Sequence, residues 1–118
     1  LALTDPLLKT IEKEHWPELM HFHKVLAQTF HQAEKGNYNA IRDRSGELFA
    51  KAILLNTSEI PKPLLSPDIS LALIKLEKQC GSLDKCIRKN AKDKIVSKKI
   101  VLVHDTFHEI QGMCHDNK

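Results

Sequence analysis

"SPDISLALIKLEKQCGSLDKCI", residues 66–87, fixes the architecture more firmly than any other part of the chain. Ser66 offers a hydroxyl to cap a helix, and Pro67 then occupies the first helical position, where its missing N–H costs nothing. The apolar positions Ile69, Leu73, Leu76, Cys80, Leu83 and Ile87 follow at alternating spacings of four and three. That rhythm places one continuous stripe along a helix, as packing in a helical bundle requires. Gly81 costs about 1 kcal/mol relative to Ala in a helix interior, but the stripe continues beyond it, so the helix is expected to run through.

The same pattern recurs after a short connection at residues 90–93. With Asp93 as the expected cap, a fourth segment carries Val96, Ile100, Val103, Phe107, Ile110 and Cys114. Upstream, the first segment opens at Thr4-Asp5-Pro6 and ends at Gly36, whose freedom to adopt positive φ can close the last turn. Pro17 either kinks this segment or starts its main helix afresh. A second segment, about 39–56, sets Ile41, Leu48, Ala52 and Leu55 at helical spacing. "EIPKPLLSP", residues 59–67, reads as a loop. Four helices with mainly short connections predict an all-α fold: one domain over residues 1–118, an antiparallel up-down-up-down four-helix bundle.

Composition agrees with this class. The 118 residues include only four Gly and six aromatics, which argues against a β-rich fold, and the chain is long enough to bury a core unaided. No apolar run approaches the roughly 18–20 residues of a membrane span. The net charge is +3, with basic residues concentrated between Lys85 and Lys99. Nucleic-acid binding calls for a larger excess and interleaved aromatics, so that stretch is expected to be solvated surface. Three cysteines, Cys80, Cys86 and Cys114, do not all pair within one chain. Cys80 and Cys114 fall on the apolar stripes as small buried side chains. Cys80 and Cys86 lie about 9 Å apart along one helix and are not expected to bond. The chain begins at Leu1 rather than Met, which reads as a trimmed start, removal of an export signal being one explanation.

The chemistry-bearing residues are histidines. In "VHDTFHEI", residues 103–110, His104 and His108 stand one helical turn apart, and they belong to a second stripe one residue after the apolar one: Ser97, Val101, His104, His108, Gln111 and His115. Segment one has the seam Leu19, Phe22, Leu26 and Phe30 or Ala33. Its next stripe is Met20, His23, Ala27, His31 and Glu34. A same-sense offset on two antiparallel neighbours turns both stripes toward their shared interface. Counted from the bundle end shared by Lys35 and Lys94, His23 lies level with the gap between His104 and His108. His31 lies roughly 9 Å shallower than His104. Neutral imidazole is the commonest nitrogen ligand for zinc, copper and nickel, and two His at i and i+4 present both rings on one side of a helix. His23, His104 and His108 are therefore the preferred metal ligands, with His31 alternate or additional. Asp105, Glu109 and Glu34 are candidates to orient the rings. His15, His21 and His115 read as surface residues, His21 as a reserve ligand beside His23. Trp16 and Met20 read as packing.

"TFHQAEKGNY", "IRDRSGELFAKA" and "HDTFHEI" resemble stretches of small exported bacterial four-helix domains thought to bind heavy metals. The resemblance spans most of the chain. It implies His31, His104 and His108 as ligands, where the depth argument prefers His23, and it implies a periplasmic or otherwise exported location.

The same residues also allow other functions. A haem-binding bundle would pair His108 with Met20 or Met113, without covalent attachment, since no C-x-x-C-H is present. Histidine phosphotransfer would use His21 with Lys24 three residues on, but Val25 and Leu26 follow where such domains carry Gly and small residues. A helical interaction module would need no ligand. A hydrolase lacks its motifs: there is no nucleophile elbow, no phosphate-cradling Gly loop and no H-E-x-x-H. The expectation is a non-enzymatic domain that binds, senses or carries a transition-metal ion, zinc foremost and copper or nickel as options, with no nucleic-acid partner.

Overall fold

Residues 16–116 are described by a computed structural model, with side chains through Met113. They form four α-helices and one 3-10 turn: α1 (Pro17–Glu34), α2 (Asn39–Thr57), the turn Lys62–Leu64, α3 (Pro67–Arg88) and α4 (Asp93–Asp116). Among the described residues there is no strand. Each helix packs on the next in sequence, and α1 also touches α4, as in a helical bundle. The start expected at Thr4 lies outside the described residues.

The main first helix starts at Pro17, which takes the first helical position. Trp16, just before it, is buried and donates its indole N–H to Ser58 Oγ at 2.9 Å, tying the start of α1 to the end of α2. Gly36 closes α1 at φ +85°. Its N–H donates to Ala33 O, while the Asn37 N–H donates to Gln32 O, the paired bonds of a Schellman ending. The end of α3 repeats this device with Asn90 at φ +59°: its N–H donates to Ile87 O and that of Ala91 to Cys86 O. Ser66 does cap α3, accepting the Ile69 N–H at 3.2 Å.

Three local expectations are corrected. Asp93 does not stand before α4 as its cap; it is the first helical residue, and its carboxylate accepts from Arg42 Nη2 of α2 at 2.7 Å. The same Nη2 donates to Ala91 O at 2.7 Å, so one guanidinium fastens the α3–α4 connection to α2. The proline-rich stretch is not all loop: its 3-10 turn inserts Leu64 into the core with no exposed surface. Gly81 is more than a tolerated weakness, because a Cβ there would meet the Phe49 ring at 3.0 Å. The bare backbone lets that ring lie close against α3.

The core is built from the stripes. Ile69, Leu73, Leu76, Cys80 and Leu83 of α3 are buried, as are Val96, Ile100, Val103, Phe107 and Ile110 of α4. Leu19, Phe22, Leu26, Phe30 and Ala33 of α1 and Ile41, Leu48, Ala52 and Leu55 of α2 complete it. Full burial of each large aliphatic side chain contributes about 1.5–3 kcal/mol before entropy is subtracted. One carboxylate is also interior: Asp84 Oδ1 accepts from Ser45 Oγ at 2.7 Å, and its Oδ2 lies 3.0 Å from Arg88 Nε. The hydroxyl and guanidinium satisfy a charge that would be expensive to bury alone.

Candidate metal centre

The offset stripes meet where α1 lies beside α4. His23, His31, His104 and His108 all line one cavity of about 210 Å³ there, with Ala27 and Gln111 on its wall. On α4, one helical turn brings His104 Nε2 and His108 Nε2 to 3.1 Å, with the rings nearly perpendicular at 80°. No group of three or more His, Cys, Asp and Glu side chains among the described residues is gathered as a ready-made ion site. The third ring is instead held elsewhere: His23 stacks on Phe107, centroids 5.0 Å apart and planes 9° apart.

Two phenylalanines control ring orientation. Phe30 of α1 lies flat against His104, centroids 3.9 Å apart and planes 7° apart, and Phe107 carries His23 while its centroid lies 5.9 Å from that of Phe22. The composition of the chain offered a signal for this: His23, His31 and His108 each directly follow a Phe. On a helix, adjacent positions sit about 100° apart, so each Phe can point inward while its His opens on the cavity rim. The nearby carboxylates hold the rings more loosely, and Glu109 is engaged by Lys75 Nζ at 3.2 Å instead. Asp105 Oδ1 stands 3.9 Å from His104 Nδ1, beyond hydrogen-bond distance, and Glu34 Oε1 stands 3.5 Å from His31 Nδ1.

The surroundings of His23 and His104 disfavour their protonation. His23 is exposed at the cavity rim, and its partial desolvation there lowers its pKa below the usual value, with His108 and His31 lowering it further. Burial also lowers that of His104, with His108 and His31 adding to the effect and Asp105 and Glu34 opposing it. An imidazole that resists protonation keeps a lone pair available for an ion at neutral pH.

The remaining candidates fall elsewhere. His21 and Lys24 are exposed on a different groove, between α1 and α2. Met20 is exposed, and Met113 lines a third groove, between α3 and α4, that His108 also lines. His15, His115 and Cys114 lie outside the described side chains. Cys80 and Cys86 are not bonded to each other. No protein-family model, curated protein or solved structure matches this chain.

Proposed function

We propose that this domain binds a transition-metal ion, zinc foremost with copper or nickel as alternatives, between its first and last helices. The role is binding, sensing or carriage rather than catalysis. The observation that carries this reading is the 3.1 Å separation of His104 Nε2 and His108 Nε2. At Zn–N bonds of about 2.1 Å, two ligand nitrogens stand about 3.0 Å apart at a right angle and about 3.4 Å apart at the tetrahedral angle. The observed spacing lies between these, so the separation suits a pair that shares one ion. Both rings would carry their proton on Nδ1, leaving both Nε2 lone pairs for the ion. His23 supplies the third nitrogen by leaving Phe107, and His31 is the alternate at the same cavity. At about 210 Å³ the cavity falls short of the roughly 300 Å³ at which ligand pockets begin, which favours an ion over haem.

The reading rests on antiparallel helices, and the cross-helix pairs support that topology. His23 meets Phe107 while Phe30 meets His104, so position rises on α1 as it falls on α4. Lys75 with Glu109 and Ser82 with Lys99 run likewise between α3 and α4, as do Ser45 with Asp84 and Asn56 with Glu77 between α2 and α3.

A second reading has its own support. One neutral ring donating Nε2–H to the other accounts for the same 3.1 Å contact without an ion, leaving an interaction module. Elemental analysis of untagged protein purified away from nickel resin, followed by zinc titration, separates the two. The expected result is one equivalent of zinc, with stability raised by about 2.7 kcal/mol at a hundredfold excess over Kd. His104→Ala/His108→Ala should abolish both effects. Zinc uptake that persists in this variant, or no uptake by the parent, overturns the metal reading.

A further inference from the structure

The groove between α1 and α2 gathers hydrogen-bond donors that the metal reading does not use. It has a volume of about 370 Å³, within the range of small-molecule sites. Lys24, Arg44 and Lys51 line it, and Glu47 is the acid among its lining residues. Arg44 pulls the Glu47 pKa below its usual value, with Lys51 assisting, so that carboxylate remains ionised. Three cations against one carboxylate leave a local charge of +2 from these four side chains.

The guanidinium is also fixed in place. Arg44 Nε donates to Glu47 Oε1 at 2.8 Å, and Nη1 donates to Gln28 Oε1 at 2.6 Å. Two of its five N–H donors are thereby used, and the other three have no partner among the described residues. The Gln28 amide, its oxygen engaged, has both N–H donors left, and neither lysine makes an ion pair among the described residues. A held arginine fork, an amide donor and two flexible ammonium groups around one groove suit a ligand rich in oxygen acceptors, carrying about two negative charges. A phosphoryl group has that charge near neutral pH and three such oxygens, and an arginine fork matches it geometrically.

We propose that this groove binds a phosphoryl group, either as free phosphate or as the head of a small phosphomonoester, independently of the histidine cavity. The test is a titration of the isotopically labelled protein with inorganic phosphate and, separately, with phenyl phosphate. It is followed by amide chemical shifts near pH 7.5, with ionic strength held constant by sodium chloride. Saturable shifts are expected at the Lys24, Gln28, Arg44 and Lys51 amides. Lys24→Gln and Lys51→Gln should each weaken binding about tenfold, without loss of fold, because neither ammonium is bonded in the structure. Arg44→Lys should weaken it while keeping the charge. Tighter binding of phenyl phosphate assigns the groove to esters, and tighter binding of phosphate assigns it to the free ion. Shifts that fail to saturate, or that survive in the Lys24→Gln/Lys51→Gln double variant, overturn the proposal as general attraction to a basic surface.

Discussion

Phe30 lies flat on His104, ring planes 7° apart and centroids 3.9 Å apart. One side chain belongs to α1 and the other to α4, so the contact both packs the interface and fixes the azimuth of an imidazole. Truncating the aromatic face should therefore be felt twice. Phe30→Leu is expected to cost about 1–2 kcal/mol of stability and to weaken zinc binding roughly tenfold, as loss of a ligand-orienting neighbour does. Urea unfolding and competition with a chromogenic chelator measure the two effects. Unchanged zinc affinity would show that the stack does not hold the ligand.

Which ring completes the ion's shell is decided by a pair of single changes. His23→Ala should weaken zinc binding by about 10–100-fold and His31→Ala by less, because the Phe107 stack sets His23 against the stretch of α4 between His104 and His108. Zinc should also remove the ring-current shift that Phe107 imposes on His23, read from the imidazole proton signals. A larger loss in His31→Ala would transfer the third position to that residue.

Stability of the metal-free chain should depend on acidity. His23 and His104 hold protons less readily in the folded chain than at the unperturbed value of 6.5. The unfolded state thus binds more protons in the window just below about pH 6.5, and folding stability declines as pH falls through it. Above that value both states carry neutral rings and the contribution is fully present. Urea midpoints at pH 7.5, 6 and 5 should show the decline, and His23→Gln/His104→Gln should flatten it. An identical slope in that variant would assign the dependence to other groups.

Gly81 and Phe49 should be energetically coupled. An added methyl at 81 meets the ring at 3.0 Å, so Gly81→Ala is expected to destabilise by about 1 kcal/mol through crowding. With Phe49→Ala already present, the same change should stabilise by about 1 kcal/mol, because only helix propensity then acts. A double-mutant cycle with no coupling would show that the ring moves aside freely.

Much of this architecture was legible from spacing alone. The stripes of α3 and α4 name buried residues because period and burial share one cause, the need of each helix to hide one face. The histidine stripes follow the same helical period one residue past the buried positions, and all four rings do line one cavity. The stacking of His23 on Phe107 was not, since a stripe gives the direction of a side chain but not its rotamer. Asp93 was misplaced because an acid is equally at home before a helix or in its first turn. What assigned it was Arg42, some fifty residues earlier in the chain. Asn90 in the left-handed region was missed because Gly is the usual signal there, although Asn tolerates it.

Cys80 carries a consequence of its own. Burial, with Glu77 assisting, pushes its thiol up to about 12, and the thiolate is the form that reacts. In the packed protein an alkylating reagent should pass it by. In a variant where it is the sole cysteine, its slow modification would time each excursion of α3 away from its neighbours, giving the bundle a built-in clock for opening.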